Sequence, residues 1–372
     1  MGEHAAVYGH PALVTSVDLR LRVRFSARTG QGSGEAGSAG HRPSPGSSSE
    51  APRLRGPVQI RLPQMHHSER LSWEELTAYA EAAGQRWRRF AADPDPGRFD
   101  RVRGGDPAHV VKVALGEAAA YLEETARPAL RLEVDSDLPI GSGFGSSAAL
   151  AVAVVGGYLM WRRGTASIEV IERLALEVER RQHGLPSGID GATVLRGGVV
   201  WAERSEADRL RVRPLDEKVS LYGFRVFHTG TPAESTGAVV ASVRERLERD
   251  RRVRATLDEL GRTTRAFREA LVTRDAEGVA ASVRGFEAGL ERIGVVPRRL
   301  QAIIRRVEAE GGAAKVSGAG TLSSPPTGPP GAGCLLVFHT DPTRIAGWSF
   351  LEGLRPYPVT LGGEGFRREQ DE

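Results

Sequence analysis

Leu19, Leu21, Val23 and Phe25 alternate with Arg20, Arg22 and Arg24, a period of two that predicts a half-buried strand at the end of "HPALVTSVDLRLRVRF". A second short run, "VQIRLP" from Val58, has the same character and would be its hairpin partner. The stretch between them is rich in Gly, Ser, Pro and Ala and nearly empty of large apolar residues. It cannot offset the entropy of ordering, so residues 27–53 read as a low-complexity, disordered insertion in the hairpin loop. Apolar spacings near 3.6 then predict helices at Trp73–Ala92 and Pro107–Thr125, followed by the strand "ALRLEVDSDLP" from Ala129 and helices at Ala149–Arg163 and Ile168–Gln182. A second half opens with the strand "LYGFRVFHTG" from Leu221. It continues through helices at Glu234–Asp250, Val253–Thr273, Ala276–Ile293 and Pro297–Gly311 to two closing strands, "GCLLVFHT" and "PYPVTL". Strands and helices mix in both halves and no solenoid period is visible, which predicts an α+β protein with two lobes meeting near residue 205.

Composition narrows the function classes. The formal net charge of the 372 residues is only +4, and Lys112, Lys218 and Lys315 are the only lysines among many arginines. Those arginines are scattered among glutamates along helical stretches, without a basic block interleaved with aromatics, which argues against nucleic acid as a partner. Cys334 is the single cysteine, so an intrachain disulfide and a cysteine-based zinc site are excluded, and a reducing cytoplasm suits the chain. The apolar run Ala148–Trp161 is too short to span a bilayer and no secretory apolar region follows Met1, so a soluble, cytoplasmic protein is expected, without a membrane partner.

Candidate chemistry starts at "LPIGSGFGSSAAL", Leu138–Leu150. Gly141, Gly143 and Gly145 can take positive φ and let backbone N–H groups approach a ligand. Ser146 or Ser147 would cap the Ala-rich helix that follows, whose positive dipole end faces the same concavity. Such a turn suits a phosphate, although its spacing is neither that of a P-loop nor that of a dinucleotide fold, and a plain tight strand-to-helix bend is the alternative. Glu179 lies on a predicted helix next to Val178 and borders its apolar stripe; it is either an ordinary surface glutamate or a carboxylate turned to a site. Asp190 closes "HGLPSGID" as the one carboxylate in an uncharged stretch, either a turn or cap aspartate or a reactive group. Thr236, near a helix start, reads from position alone as a cap.

"GEHAAVYGHPAL" at Gly2, "DLPIGSGFGSSAA" at Asp137 and "KVSGAG" at Lys315 with a later "GC" at Gly333 resemble, in order and spacing, three signature motifs. They are those of the galactokinase, homoserine kinase, mevalonate kinase and phosphomevalonate kinase (GHMP) superfamily. The first of them and "HGLPSGID" at His183 are most similar to the mevalonate kinases. The resemblance implies a two-lobed fold with mixed sheets and flanking helices, an ATP-binding domain over 1–205, a second domain over 206–372, and an active site in the cleft between the lobes. It implies that Pro139, Gly141, Ser142, Gly143, Phe144, Gly145, Ser146 and Ser147, with Gly318, Ala319 and Gly320, hold ATP. Ser147 and Glu179 would hold Mg2+, Asp190 would be the general base for the primary hydroxyl of mevalonate, and Glu3, His4, Val7 and Thr236 would line the acceptor pocket. His4 has no second histidine at ligand spacing in its motif, which speaks against a metal role. The product would be 5-phosphomevalonate, on the way to isoprenoids, and members of the family are often homodimers. A GHMP kinase with another small hydroxyl acceptor, or an inactive nucleotide-binding relative, is the competing expectation.

Two departures stand out. The first motif of the family is normally preceded by a strand carrying Pro-x-Lys, and here Met1 immediately precedes "GEH"; the expectation is a natural chain with roughly ten to twenty more residues, one short strand among them. The third motif is interrupted by "TLSSPPTGPPGA" between Gly320 and Gly333, which lengthens a loop that should pack beside the phosphates.

Overall fold

In a computed structural model of the chain, the described residues are 1–27, 56–93, 104–124, 127–139, 143–205, 210–215, 219–324 and 328–369. The insertion read at 27–53 lies outside them from residue 28 onward, as do Gly141 and Ser142 of the glycine turn. Strands β1 (Ala12–Thr15), β2 (Leu21–Ala27), β3 (Val58–Leu62) and β4 (His67–Leu71) come first, followed by helices α1 (Trp73–Ala92) and α2 (His109–Leu122). Next are β5 (Leu130–Ser136), α3 (Ser146–Arg163), α4 (Ile168–His183), α5 (Ile189–Arg196), β6 (Val199–Arg204), β7 (Leu210–Pro214) and β8 (Phe224–His228). The chain continues through α6 (Thr236–Arg249), α7 (Arg251–Thr273), α8 (Ala276–Arg292), α9 (Arg298–Ala309), β9 (Ala313–Ser317), β10 (Cys334–Phe338) and β11 (Arg355–Tyr357).

These strands form a sheet of order β2-β5-β3-β4, another of order β1-β6-β7 and a third of order β11-β8-β10-β9. Two expectations are corrected here. The segment from His10 to Phe25 holds two strands, not one: the alternating end is β2, while Ala12–Thr15 before it form β1, which pairs with β6 in a different sheet. Nor are β2 and β3 a hairpin: β5 lies between them, antiparallel to β2 and parallel to β3, and the true hairpin partner of β3 is β4. Inserting β5 buries Leu130 and Leu132 completely, which a β2–β3 pair at the edge could not do.

A first core gathers α1 to α4 on the β2-β5-β3-β4 sheet around Ile60, Leu76, Leu115, Leu132 and Tyr158. The start of α1 is set by a reciprocal capping box, in which Ser72 accepts from the Glu75 N–H and Glu75 accepts from the Ser72 N–H. A second core packs α6 to α9 against β8, β9 and β10 around Leu257, Phe286, Leu300 and Val316. The halves are tied where β7 pairs with β6 and where Phe366, near the end of the chain, returns to the first core. No helix among the described residues is long and apolar enough to cross a membrane.

Candidate active site

The glycine turn feeds α3, and its geometry differs from the sequence expectation in one respect. Neither Ser146 nor Ser147 caps the helix: the cap is Gly145, at φ 67°, and no side chain takes its first N–H groups. Those donors and the positive helix end therefore remain available to a ligand. Gly143 also has positive φ, 80°, and a Cβ there would come within 2.9 Å of the Ser317 carbonyl and 3.7 Å of the Gly318 Cα. The second motif thus lies directly against the third, and only glycine permits that approach. The Phe144 ring packs edge-on against Tyr357 of β11 at 4.8 Å. Ser147 Oγ is buried without a hydrogen-bond partner.

The first motif lies on the third as well. Glu3 Oε1 accepts from the Lys315 ammonium at 2.5 Å and from Ser317 Oγ at 3.3 Å. Burial alone would raise the Glu3 carboxyl, but the Lys315 charge, helped by the Met1 amino group, overrides it and holds it at about 2. His4 Nε2 donates to the Ala319 carbonyl at 2.9 Å, and burial lowers the imidazole pKa, so this is a neutral ring. Lys315 is 1% exposed in the middle of β9. Sequence reading passed over it, although a lone lysine inside the apolar "AAKVS" of so arginine-rich a chain is a signal that something waits for the charge.

Glu179 on α4 is 3% exposed, so it is no ordinary surface glutamate. It faces the start of α5 at Gly191, where a Cβ would stand 3.8 Å from its Oε1. Burial first and the charge of Asp190 second raise the Glu179 carboxyl to about 8. Asp190 occupies the first turn of α5 rather than a free turn, with Gly188 as the N-cap. Its side chain is open to solvent through the mouth of the cleft, yet the protein enclosing it on the other sides raises its carboxyl, burial acting first and Glu3 second.

These groups share one cleft of about 2570 Å3. Its lining includes Glu3, His4, Val7, Gly143 to Ser147, Glu179, Asp190, Thr236 and Gly318 to Gly320, whereas Pro139 does not line it. Thr236 is the first residue of α6 and Ser235 is its cap, so the threonine hydroxyl is not spent on capping. Elsewhere His67, Glu69 and Asp106 lie close enough to hold a cation, but Lys112 already places its ammonium 2.7 Å from both carboxylates.

Residues 109–198, from α2 to the end of α5, match the family model of the GHMP kinases N-terminal domain, and this is the stretch that carries the glycine turn, Glu179 and Asp190. These residues carry the N-terminal domain of the GHMP kinases. Over 377 aligned residues the chain is 26% identical to the mevalonate kinase of Pyrococcus abyssi, covering 99% of this chain and 94% of that one. Its fold matches the crystal structure of the Methanococcus jannaschii mevalonate kinase, with a TM-score of 0.68 at 16% identity over 97% of this chain and 94% of the other. It also matches the Lactococcus lactis galactokinase complexed with galactose, with a TM-score of 0.66 at 15% identity, covering 98% and 91%. At such identities the structural likeness speaks for the GHMP kinase fold alone.

Proposed function

We propose that the chain is a GHMP kinase that transfers the γ-phosphoryl group of ATP to the primary hydroxyl of mevalonate, giving 5-phosphomevalonate for isoprenoid synthesis in the cytoplasm. The observation that carries the reading is that the buried carboxylate of Glu179 and the cleft-facing carboxylate of Asp190 line the same cleft as the uncapped start of α3, where all three motifs meet. Full-length relatives named mevalonate kinase favour this acceptor over a sugar.

Phosphoryl transfer has a loose transition state, so the protein mainly positions the reactants and stabilises charge. The Gly143–Ser147 turn and the first N–H groups of α3 hold the nucleotide phosphates. Asp190 accepts the proton of the acceptor hydroxyl as its oxygen bonds to the γ-phosphorus and the bond to the ADP oxygen breaks. An unpartnered buried hydroxyl and a buried carboxylate pushed up to about 8 fit a hard, oxygen-seeking cation, and Ser147 and Glu179 would hold Mg2+ here. That ion would neutralise charge on the phosphate oxygens. Lys315 keeps Glu3 ionised and in place, while His4, Val7 and Thr236 shape the wall around the acceptor.

ADP release measured with mevalonate, phosphomevalonate, homoserine and galactose tests the reading, and mevalonate should be the substrate. Asp190→Asn should cut turnover about 100-fold to 10,000-fold while nucleotide binding stays nearly intact, because the amide keeps the shape but cannot take the proton. A variant retaining more than about a tenth of wild-type turnover would overturn the assignment of Asp190.

A further inference from the structure

The segment that interrupts the third glycine loop is fastened on both its outgoing and its return side to the stretch Thr229–Thr236, which leads into α6. On the return side, the Gly331 N–H donates to the Thr229 carbonyl at 2.7 Å and the Gly333 N–H to the Gly230 carbonyl at 3.0 Å. Thr229 Oγ1, fully buried, accepts from the Ala332 N–H at 3.0 Å and donates to the Gly333 carbonyl at 3.0 Å. On the outgoing side, Thr321 Oγ1 donates to Glu234 Oε2 at 2.6 Å, and Ser323 Oγ donates to Oε1 of the same carboxylate. Thr321 is 2% exposed, and its N–H is anchored on the Val295 carbonyl at 2.9 Å.

Hydrogen bonds to an ionised carboxylate are among the strong ones, and a single group that accepts two of them from one loop fixes that loop in angle as well as distance. Glu234 stands two residues before Thr236, while Thr321 directly follows Gly318, Ala319 and Gly320. Glu234, Thr236 and the three loop residues all line the same cleft. One carboxylate thus joins the wall expected to hold nucleotide to the wall expected to hold acceptor.

We propose that Glu234 is a positioning residue: through Thr321 and Ser323 it locks the third-motif loop to the Thr236 wall. The proposal rests on the ATP-dependent kinase reading given above.

The test is titration of the full chain with the fluorescent nucleotide methylanthraniloyl-ATP, together with initial rates on mevalonate, for wild type, Glu234→Ala, Glu234→Gln, Thr321→Val and the double variant Glu234→Ala/Thr321→Val. Losing a hydrogen bond to a charged group should weaken nucleotide binding about tenfold in Glu234→Ala and in Thr321→Val. Glu234→Gln, which keeps one acceptor oxygen, should recover part of the loss. The double variant should bind no worse than Glu234→Ala, because both changes remove the same contact. Melting midpoints within about 2 °C of wild type would separate positioning from general loss of fold. Binding within twofold of wild type in Glu234→Ala, losses that add in the double variant, or losses that follow the melting midpoint each overturn the proposal; Thr321→Val keeps the decision open to measurement if Glu234→Ala does not fold. A wild-type chain that binds the nucleotide but leaves mevalonate untouched would refute the acceptor alone, with the binding series still deciding on Glu234. A wild-type chain that binds no nucleotide refutes both.

Discussion

Replacing Lys315 by methionine should destabilise this chain in a pH-dependent way that a second substitution reverses. Lys315 is 1% exposed and its ammonium lies 2.5 Å from Glu3. The Glu3 carboxyl, which burial alone would raise, is held at about 2 against an ordinary value of 4.5, with Lys315 the foremost of the lowering influences. A lowering of that size corresponds to about 3 kcal/mol of native stability at neutral pH, in line with the cost of removing one partner from a buried ion pair. In the wild type this contribution is complete above about pH 4.5 and is lost as the pH falls through about 2, since the folded-state value is depressed. In Lys315→Met, burial, the largest influence, is opposed only by the Met1 amino group and a backbone hydrogen bond, so the carboxyl moves upward and the variant's gap from wild type widens as the pH rises from about 2 toward neutrality.

Glu287 is a further buried carboxylate facing Lys315, but it is already raised to about 7 by burial and can take up a proton instead of remaining an unpaired charge. Thermal and urea unfolding at pH 5 and pH 7.5 would read the effect as a fall of roughly 5 °C at the higher pH and a smaller one at the lower. Lys315→Met/Glu3→Gln removes both charges and should recover most of the stability at pH 7.5, though not the activity, because Glu3 belongs to the proposed acceptor wall. A single variant within about 1 kcal/mol of wild type at pH 7.5, or no recovery in the double variant, would refute the account of this pair.

Glu179→Gln and Ser147→Ala should each raise the Mg2+ concentration needed for half-maximal activity more than they raise the KM for mevalonate, since both remove an oxygen from the proposed metal position; unchanged Mg2+ titrations would count against those roles. Gly143→Ala places a Cβ 2.9 Å from the Ser317 carbonyl at a φ of 80°, so nucleotide binding should weaken at least about tenfold, measurable by fluorescence titration. Phe366→Ala should cost about 2 kcal/mol, below the range for a fully buried ring because Phe366 is half-buried, and denaturant titration would show it.

What could be read in the chain was local. Helix α1 runs over the residues its apolar spacing predicts, Trp73–Ala92, because Ser72 and Glu75 mark its start and the pattern holds for five turns. Helix α5 escaped notice: it has only eight residues, and Gly191 and three β-branched residues dilute its period. Strand β9 shows no alternation because four of its five residues are buried, Lys315 among them. The pairing of β2 with β5 has no local signature, since the choice is made by a strand more than a hundred residues further along. The same holds in the site. Ser147, Glu179 and Asp190 belong to contiguous motifs and could be picked out, whereas the bond between Glu3 and Lys315 spans 312 residues and only the fold brings them together.

The interrupted third motif gives the last test, and it turns on the price of a long loop. Closure entropy grows slowly, by about 0.6 kcal/mol for each doubling of length, so a few well-made hydrogen bonds are enough to hold the loop in place. This loop has them at Glu234 and Thr229, and Ser324 Oγ accepts from the Arg298 N–H at the start of α9 at 3.2 Å. It also contains Pro325, Pro326, Pro329 and Pro330, which restrict the unfolded chain and so reduce what ordering costs. Replacing 322–330 by glycine and serine in equal number keeps the closure length while removing the prolines and the Leu322-to-Ser324 anchors. At about 0.4–1 kcal/mol for each proline, the fold should lose roughly 2–4 kcal/mol in denaturant titration. Nucleotide binding should fall less than in Glu234→Ala, because Thr321 still reaches the carboxylate. A chimera as stable as the parent would mean that the loop is an idle extension, and one that binds nucleotide worse than Glu234→Ala would mean that its hold on the cleft lies outside the Glu234 contact.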